Sequence, residues 1–215
     1  MKERTLIEVL KENKEFKKSI DSEIKSITIS LLSNNIINQI QPVLENWAYS
    51  NNLSPIINFG EFDNIVQDSK AHSTSDVVII FWELNNIVDG FYRKTEKLTK
   101  FQIEEYIDKV KSEIEFCINS LSKTSLVLFN NFSSNPFSLN NSQTDNYEKI
   151  GLELNNFVNK ILPDNFKLVN IDKIISYVST EKSYKMRNFY TSKSLYSFVF
   201  FSNYLNFISP ILSAK

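Results

Sequence analysis

The sequence predicts an α/β fold: a three-layer α/β/α sandwich around a mainly parallel five-stranded sheet, flavodoxin-like in topology. Two apolar runs carry the prediction, ITISLL at 27–32 and DVVIIFW at 76–82. Each is of strand length and apolar at successive positions, as strands covered on both faces are. Between them lie a segment of helical period and a third short strand, and helix and strand signals go on alternating to the end of the chain. Strands separated by helices pair in parallel through right-handed crossovers.

Taken in order, Leu6, Val9, Leu10, Phe16 and Ile20 recur at helical spacing among lysines and glutamates. Residues 1–24 are therefore expected to form an amphipathic helix outside the sheet with no catalytic role, and 25–215 the α/β domain. Ile36–Ser50 carries Ile37, Ile40, Val43, Leu44 and Trp47 on one helical face, with Pro42 early enough to disturb it only mildly. Leu53–Phe59 reads as a short strand, Gly60-Glu61-Phe62 as a turn, and Phe62–Asp68 as the start of a helix. Asp76–Trp82 is the central strand by apolar continuity. One or two helical turns are expected over Asn86–Phe91. A long helix follows at Phe101–Leu121, with Ile103, Tyr106, Ile107, Val110, Ile114 and Cys117 on its buried stripe. Ser125–Phe129 is a fourth strand. Asn130–Asp145, rich in Asn and Ser and containing Pro136, reads as an extended loop of the kind that often carries function. A helix at Tyr147–Leu162, a fifth strand at Phe166–Ile171, a short helix at Asp172–Val178 and an aromatic closing helix at Ser194–Leu212 complete the chain. No internal repeat or linker marks a second domain.

With 215 residues the chain can bury one good core without disulfides or metal. Its 24 basic and 25 acidic side chains leave a net charge of −1, no field for holding a phosphate backbone or an anionic membrane, so neither nucleic acid nor membrane is an expected partner. A single cysteine, Cys117, excludes an internal disulfide and a cysteine-based zinc site and agrees with a reducing compartment. Charges interrupt every apolar run of MKERTLIEVLKENKEF, so no signal peptide or anchor can be drawn there and the cytoplasm is the expected location. Only 3 glycines occur, too few for phosphate-cradling loops whose backbone must approach the ligand closely. No cofactor and no metal is expected.

In open parallel sheets ligands sit beyond the carboxyl ends of the strands, which directs attention to Ser33-Asn34-Asn35 and Glu83-Leu84-Asn85-Asn86. The element order also suits an SGNH-hydrolase-like topology. An esterase of that type needs a serine after the first strand, oxyanion donors after later strands, and a paired Asp and His near the C-terminus. Ser33 stands where the nucleophile would, and Asn34, Asn35, Asn130 and Asn131 where amides could meet a ligand. The bland alternatives are a strand-end serine and asparagines that bond the next helix or their own loop. Glu83, beside Asn85, is a candidate base or hydroxyl-binding group, or else a helix cap. The base is missing: His72 lies before the central strand, at the other end of the sheet, where a solvent-facing loop histidine is the plain reading. Cys117 belongs to an apolar stripe and reads as core. Lys185, Arg187, Tyr190 and Lys193 form a basic, aromatic run suited to a phosphate, a carboxylate or a carrier-protein surface, or to a solvated turn.

Read as a series, SITISLLSNNIINQIQPVLENWAYS, PIINFGEFDNIVQDS, SDVVIIFWELNNIVDGF, LVLFNNFSSNPF and RNFYTSKSLYSFVFFSNYLNFISPIL resemble the N-terminal region of FkbH-like proteins of the HAD-IIIC family, over about residues 25–213. The resemblance implies an SGNH-like domain that precedes a HAD phosphatase-like domain. The aspartate-rich HAD motif is not found in this chain, which is expected to be a stand-alone copy or a fragment. It also implies a part in loading a glyceryl unit onto an acyl carrier protein. Carried over by position are Ser33-Asn34, the FWELNN and NNF segments, and Arg187, Tyr190 and Lys193; Lys185 stands where many relatives have Asp.

Three functions are therefore expected to compete. The first is an SGNH-like domain assisting acyl or glyceryl transfer involving an acyl carrier protein. The second is an acyl-ester hydrolase or O-acyltransferase using Ser33, and the third a non-catalytic domain that docks a HAD domain or partner subunit through its aromatic C-terminal helix.

Overall fold

The computed structural model describes residues 4–19, 24–87, 90–137 and 145–214. Ile20 of the first stripe, residues 88–89 of the predicted turns and residues 138–144 of the predicted loop lie outside the described residues. The strands β1 (Ser26–Ser33), β2 (Ser54–Phe59), β3 (Val77–Phe81), β4 (Leu126–Asn130) and β5 (Phe166–Val169) form a parallel sheet in the order β2-β1-β3-β4-β5. This is the α/β fold expected, with β3 at the centre. Val77, Val78, Ile79 and Ile80 are in register with Leu126, Val127, Leu128 and Phe129. Every residue of β3 and β4 is buried, which is why β3 is apolar throughout and β4 apolar up to its terminal Asn130, with no alternation.

Among the described residues the helices are α1 (Leu6–Ser19), α2 (Gln41–Ser50), α3 (Ile65–Ala71), α4 (Phe91–Lys94), α5 (Lys100–Ser120), α6 (Asn146–Ile161), α7 (Ile171–Val178), α8 (Thr180–Ser183), α9 (Met186–Ser192) and α10 (Phe198–Ser213). The chain clusters into two compact units. One comprises the described residues of Met1–Ile29, Ile36–Asn58 and Ile171–Lys215, the other Ser30–Asn35 and Phe59–Asn170. In the first, α1 packs on α2, and α10 packs on α2, α7 and α8. In the second, α5 packs on both α3 and α6. A capping box of Thr99 and Gln102 starts α5, and its Ile107, Val110, Ile114 and Cys117 are buried.

Several boundaries move for local reasons. The helix predicted from Ile36 begins as a 3-10 turn at Asn38–Ile40, and α2 itself starts at Gln41. Pro42 thus occupies the first helical turn, where a missing N–H costs no intrahelical bond. The helix predicted from Phe62 starts at Ile65, and β5 stops at Val169 because Ile171 opens α7. The closing helix starts at Phe198, not Ser194: Ser197 caps it by accepting the Phe200 N–H at 3.1 Å, and Tyr196 forms an antiparallel bridge with Tyr184.

Candidate functional site

The candidate residues at the ends of β1, β3 and β4 all fall within the second unit. Ser33 ends β1 and is 7% exposed; its Oγ accepts the Asn35 N–H at 3.0 Å. The hydroxyl is engaged in its own turn and does not cap a helix. Asn34 is fully buried, and its side chain is committed to the backbone just past β3. The Glu83 N–H donates to Asn34 Oδ1 at 2.7 Å, and Asn34 Nδ2 donates to the Glu83 carbonyl at 2.9 Å. Asn86 returns the hold, its Nδ2 donating to the Asn34 carbonyl. Glu83 begins the 3-10 turn Leu84–Asn86 without a side-chain cap bond, so the capping account of this residue does not apply.

The other member of each asparagine doublet behaves differently. Asn35 is 3% exposed, and neither its Oδ1 nor its Nδ2 meets a hydrogen-bonding partner. Asn85 is 1% exposed, and its Oδ1 is likewise unsatisfied. A buried amide atom with no partner costs about 1–3 kcal/mol, so two such residues at the carboxyl ends of adjacent strands are an arrangement that folding alone does not favour. Neither Asn34 nor Asn35 caps the following helix, whose preceding turn, Asn38–Ile40, has Ile37 in the capping position and no side-chain cap.

Asn130 ends β4, 1% exposed and paired in register with Val169. Asn131, 7% exposed, donates its N–H to the Val169 carbonyl at 2.9 Å. Beyond it, Phe132 is held by a second asparagine clamp. Its N–H donates to Asn155 Oδ1 at 2.8 Å, and Asn155 Nδ2 donates to its carbonyl at 2.9 Å. Gly151, one turn earlier on α6, permits this approach, since a Cβ there would lie 3.1 Å from Leu84 Cδ2 and 3.5 Å from the Phe132 carbonyl.

The histidine expected in a solvent-facing loop is instead half-buried, and its Nδ1 lies 3.0 Å from Ser30 Oγ. Ser30 is fully buried and also pairs with Ser75 Oγ at 2.7 Å. Ser30 precedes Ser33 by three positions along β1, about 10 Å at strand rise, so His72 serves this polar cluster and not the strand-end serine. Gly60, in the turn after β2, gives its N–H to the Leu31 carbonyl at 2.9 Å.

Beside the strand ends, α3 and α5 border a cleft of about 210 Å³. Asp63, one of its lining residues, has φ +58, and its N–H donates to the Ser33 carbonyl at 3.1 Å. Partial burial raises the Asp63 carboxyl above its ordinary value, with Glu113 adding to the effect and Lys109 opposing it. Among the described residues no group of three or more His, Cys, Asp or Glu could hold a metal ion, and no helix is long and apolar enough to cross a membrane.

Arg187 and Tyr190 lie on α9 in the first unit, both exposed, and Lys193 follows that helix in the left-handed region at φ +56. The Lys193 carbonyl accepts the Ile36 N–H at 2.9 Å, and its Nζ sits 5.3 Å from the centre of the Phe189 ring. Asn155 and Gly151 escaped the sequence reading, and Asn86 was named there only as part of the segment following β3. Asn-Asn pairs recur at 34–35, 51–52, 85–86, 130–131, 140–141 and 155–156, so the doublet alone does not mark which of them hold strand ends.

No family model matches the chain, and no curated protein does. Solved structures similar in fold include the following two. The N-terminal part of the protein BF1531 from Bacteroides fragilis, containing a phosphatase domain and complexed with Mg, superposes with a TM-score of 0.70 at 14% identity, covering 97% of this chain and 57% of that one. The lipase Lip_vut3 from goat rumen metagenome superposes with a TM-score of 0.57 at 13% identity, covering 84% of this chain and 96% of the lipase. The chain thus spans little more than half of the first structure.

Proposed function

We propose that the chain is an SGNH-like domain of the type that precedes the HAD domain in FkbH-like, HAD-IIIC proteins. In this reading it binds the acyl or glyceryl group delivered by an acyl carrier protein and assists its transfer, with little hydrolytic power of its own. The observation that carries the reading is the division of labour within two asparagine doublets. Asn34 and Asn86 lock the ends of β1 and β3 together, while Asn35 and Asn85 keep buried amide atoms unsatisfied beside them. Held rigidly, such atoms suit the carbonyl and hydroxyl groups of a small acyl ligand. Hydrolysis is disfavoured because the Ser33 hydroxyl accepts a bond from its own turn and the chain's one histidine is bound to Ser30.

The ordered motif series supports the family reading. So does the fold likeness to the Bacteroides fragilis protein containing a phosphatase domain, compatible with a HAD-like partner. Glu83, Asn130 and Asn131 complete the binding rim, and Arg187, Tyr190 and Lys193 supply a basic, aromatic surface for the carrier.

Two measurements test this. A carrier protein bearing a glyceryl thioester, titrated into the labelled chain, should shift the Asn35 and Asn85 side-chain amide signals saturably. A chromogenic short-chain ester should show no turnover that Ser33→Ala removes; such turnover would establish the hydrolase reading instead.

A further inference from the structure

The first unit holds a cavity of about 470 Å³ among α1, α2, α7, α8 and α10, with none of the strand-end residues in its lining. Its size lies within the range of small-molecule sites, about 300–1,000 Å³. Val9 and Val43, 3% and 4% exposed, give it an apolar wall. Tyr177, Asn203 and Asn206 carry the lining on into a second groove, where the Phe207 ring meets that of Tyr177 edge-on at 6.5 Å.

The charged groups of the lining are both cations, Arg4 and Lys182, and among its described residues there is no carboxylate. Arg4 Nη2 donates to Glu12 and, at 3.3 Å, to Asn46 Oδ1. Asn46, 6% exposed, is itself anchored, its Nδ2 donating to Glu12 Oε2 at 3.1 Å and to Asn13 Oδ1 at 2.9 Å. The guanidinium is therefore held in place by bonds that leave its Nη1 and Nε donors unused. Glu12 offsets one of the two positive charges, so the cavity keeps a surplus of one.

An independent observation comes from α10. A serine inside a helix ordinarily bonds back to a carbonyl one turn earlier, and the neighbouring Asn203 does so, its Nδ2 donating to the Val199 carbonyl at 2.8 Å. Ser202 does not. Its Oγ is buried and meets no partner, although the residue lines the cavity. A buried hydroxyl left in this state costs stability that a bound acceptor would restore.

We propose that this cavity binds a small arylalkyl monocarboxylate. Arg4 and Lys182 hold the carboxylate through charge-assisted bonds, Ser202 donates to one of its oxygens, and the ring packs on Val9, Val43 and Tyr177. A single negative charge matches the single surplus cation; a phosphate ester, with about two negative charges, exceeds it. The site is independent of the acyl-binding reading, since it uses other residues, in the other unit.

The test is a heteronuclear NMR titration of the whole chain with 3-phenylpropionate, with the neutral 3-phenylpropanamide and with 3-phenylpropyl phosphate. The carboxylate should shift the Val9 and Val43 methyl signals saturably by about 10 mM, and the amide should bind at least about tenfold more weakly. Lys182→Met should weaken the carboxylate about five- to tenfold and leave the amide unchanged. Ser202→Ala should weaken the carboxylate about threefold or more without lowering the melting temperature, which keeps the test open should the Lys182 variant fold poorly. An amide that binds as tightly as the acid would overturn the proposal, as would a phosphate ester that binds more tightly, an affinity indifferent to Lys182→Met in a folded variant, or shifts confined to the Tyr177 and Phe207 rings. Because Asn35 and Asn85 take no part, the carrier titration and this one can each fail without the other.

Discussion

The Asn34 side chain and the Glu83 main chain form a two-bond clamp, 2.7 Å and 2.9 Å long, that works as one more rung between β1 and β3 at their carboxyl ends. Both residues are buried, so neither Glu83 backbone group can turn to water once the clamp is removed. Asn34→Ala should therefore cost about 2–4 kcal/mol, from two buried backbone groups left unsatisfied. Denaturant unfolding measures it, and a loss below about 0.5 kcal/mol, the range of ordinary surface substitutions, would show that the clamp is not structural.

Asn35 invites the opposite result. Its amide atoms are buried without partners, while the bond to Ser33 uses only its backbone N–H. Replacing it with the similarly shaped Leu should raise stability by about 1 kcal/mol or more, because an uncompensated desolvation cost disappears. Ligand binding should fall together with that gain, and a destabilised Asn35→Leu that still binds would contradict the functional assignment.

How far the sequence could be read is visible at these two positions. The fold was legible because β3 is apolar at every residue and β4 at all but its last, Asn130, and the helix between them keeps a helical period. The strand-end location of Ser33, Glu83 and Asn130 followed from the same reasoning. What separates Asn34 from Asn35 did not, since two adjacent asparagines are chemically identical until the β3 backbone is placed beside one of them. His72 shows the same limit. Nothing local in SKAHSTSD reveals that Ser30, 42 residues earlier, will lie 3.0 Å from its ring.

Gly60 is constrained by packing. A Cβ at this position would stand 2.5 Å from Asp68 Oδ2 and 2.9 Å from Leu32 Cδ2. Asp68 cannot give way easily, because it accepts the Glu61 N–H at 2.6 Å and the Asn64 amide at 2.9 Å. Gly60→Ala should destabilise the fold by about 1–3 kcal/mol, as a thermal melt would record; an unchanged melting temperature would mean that the turn relaxes freely.

Cys117 should be inert. Burial pushes its thiol up to about 12 from an ordinary value of 9.0, with Ser69 offsetting part of the effect by hydrogen bonding and Glu113 adding to it. An aromatic disulfide reagent at pH 8 should label it only as fast as the protein opens, and at once in denaturant. The linkage has a definite sign: the folded chain holds the proton more tightly than the unfolded chain. This contribution is therefore complete below pH 9.0 and is lost as pH rises through about 12. Rapid native-state labelling at pH 8 would contradict the buried assignment.

Ser30→Ala removes a hydroxyl that meets both His72 Nδ1 and Ser75 Oγ inside the fold. A stability loss of about 1–2 kcal/mol is expected, with no effect on ligand binding. Loss of binding at native-like stability would place this cluster in the functional machinery after all.

The central claim is that Asn35 and Asn85 bind an acyl or glyceryl group that Ser33 does not hydrolyse. The most direct measurement follows their side-chain amide resonances while a glyceryl-loaded carrier protein is added and free glycerate is assayed in the same tube. Saturable shifts at both amides without glycerate release are the predicted outcome. Unmoved amides, or release that disappears in Ser33→Ala, would contradict it.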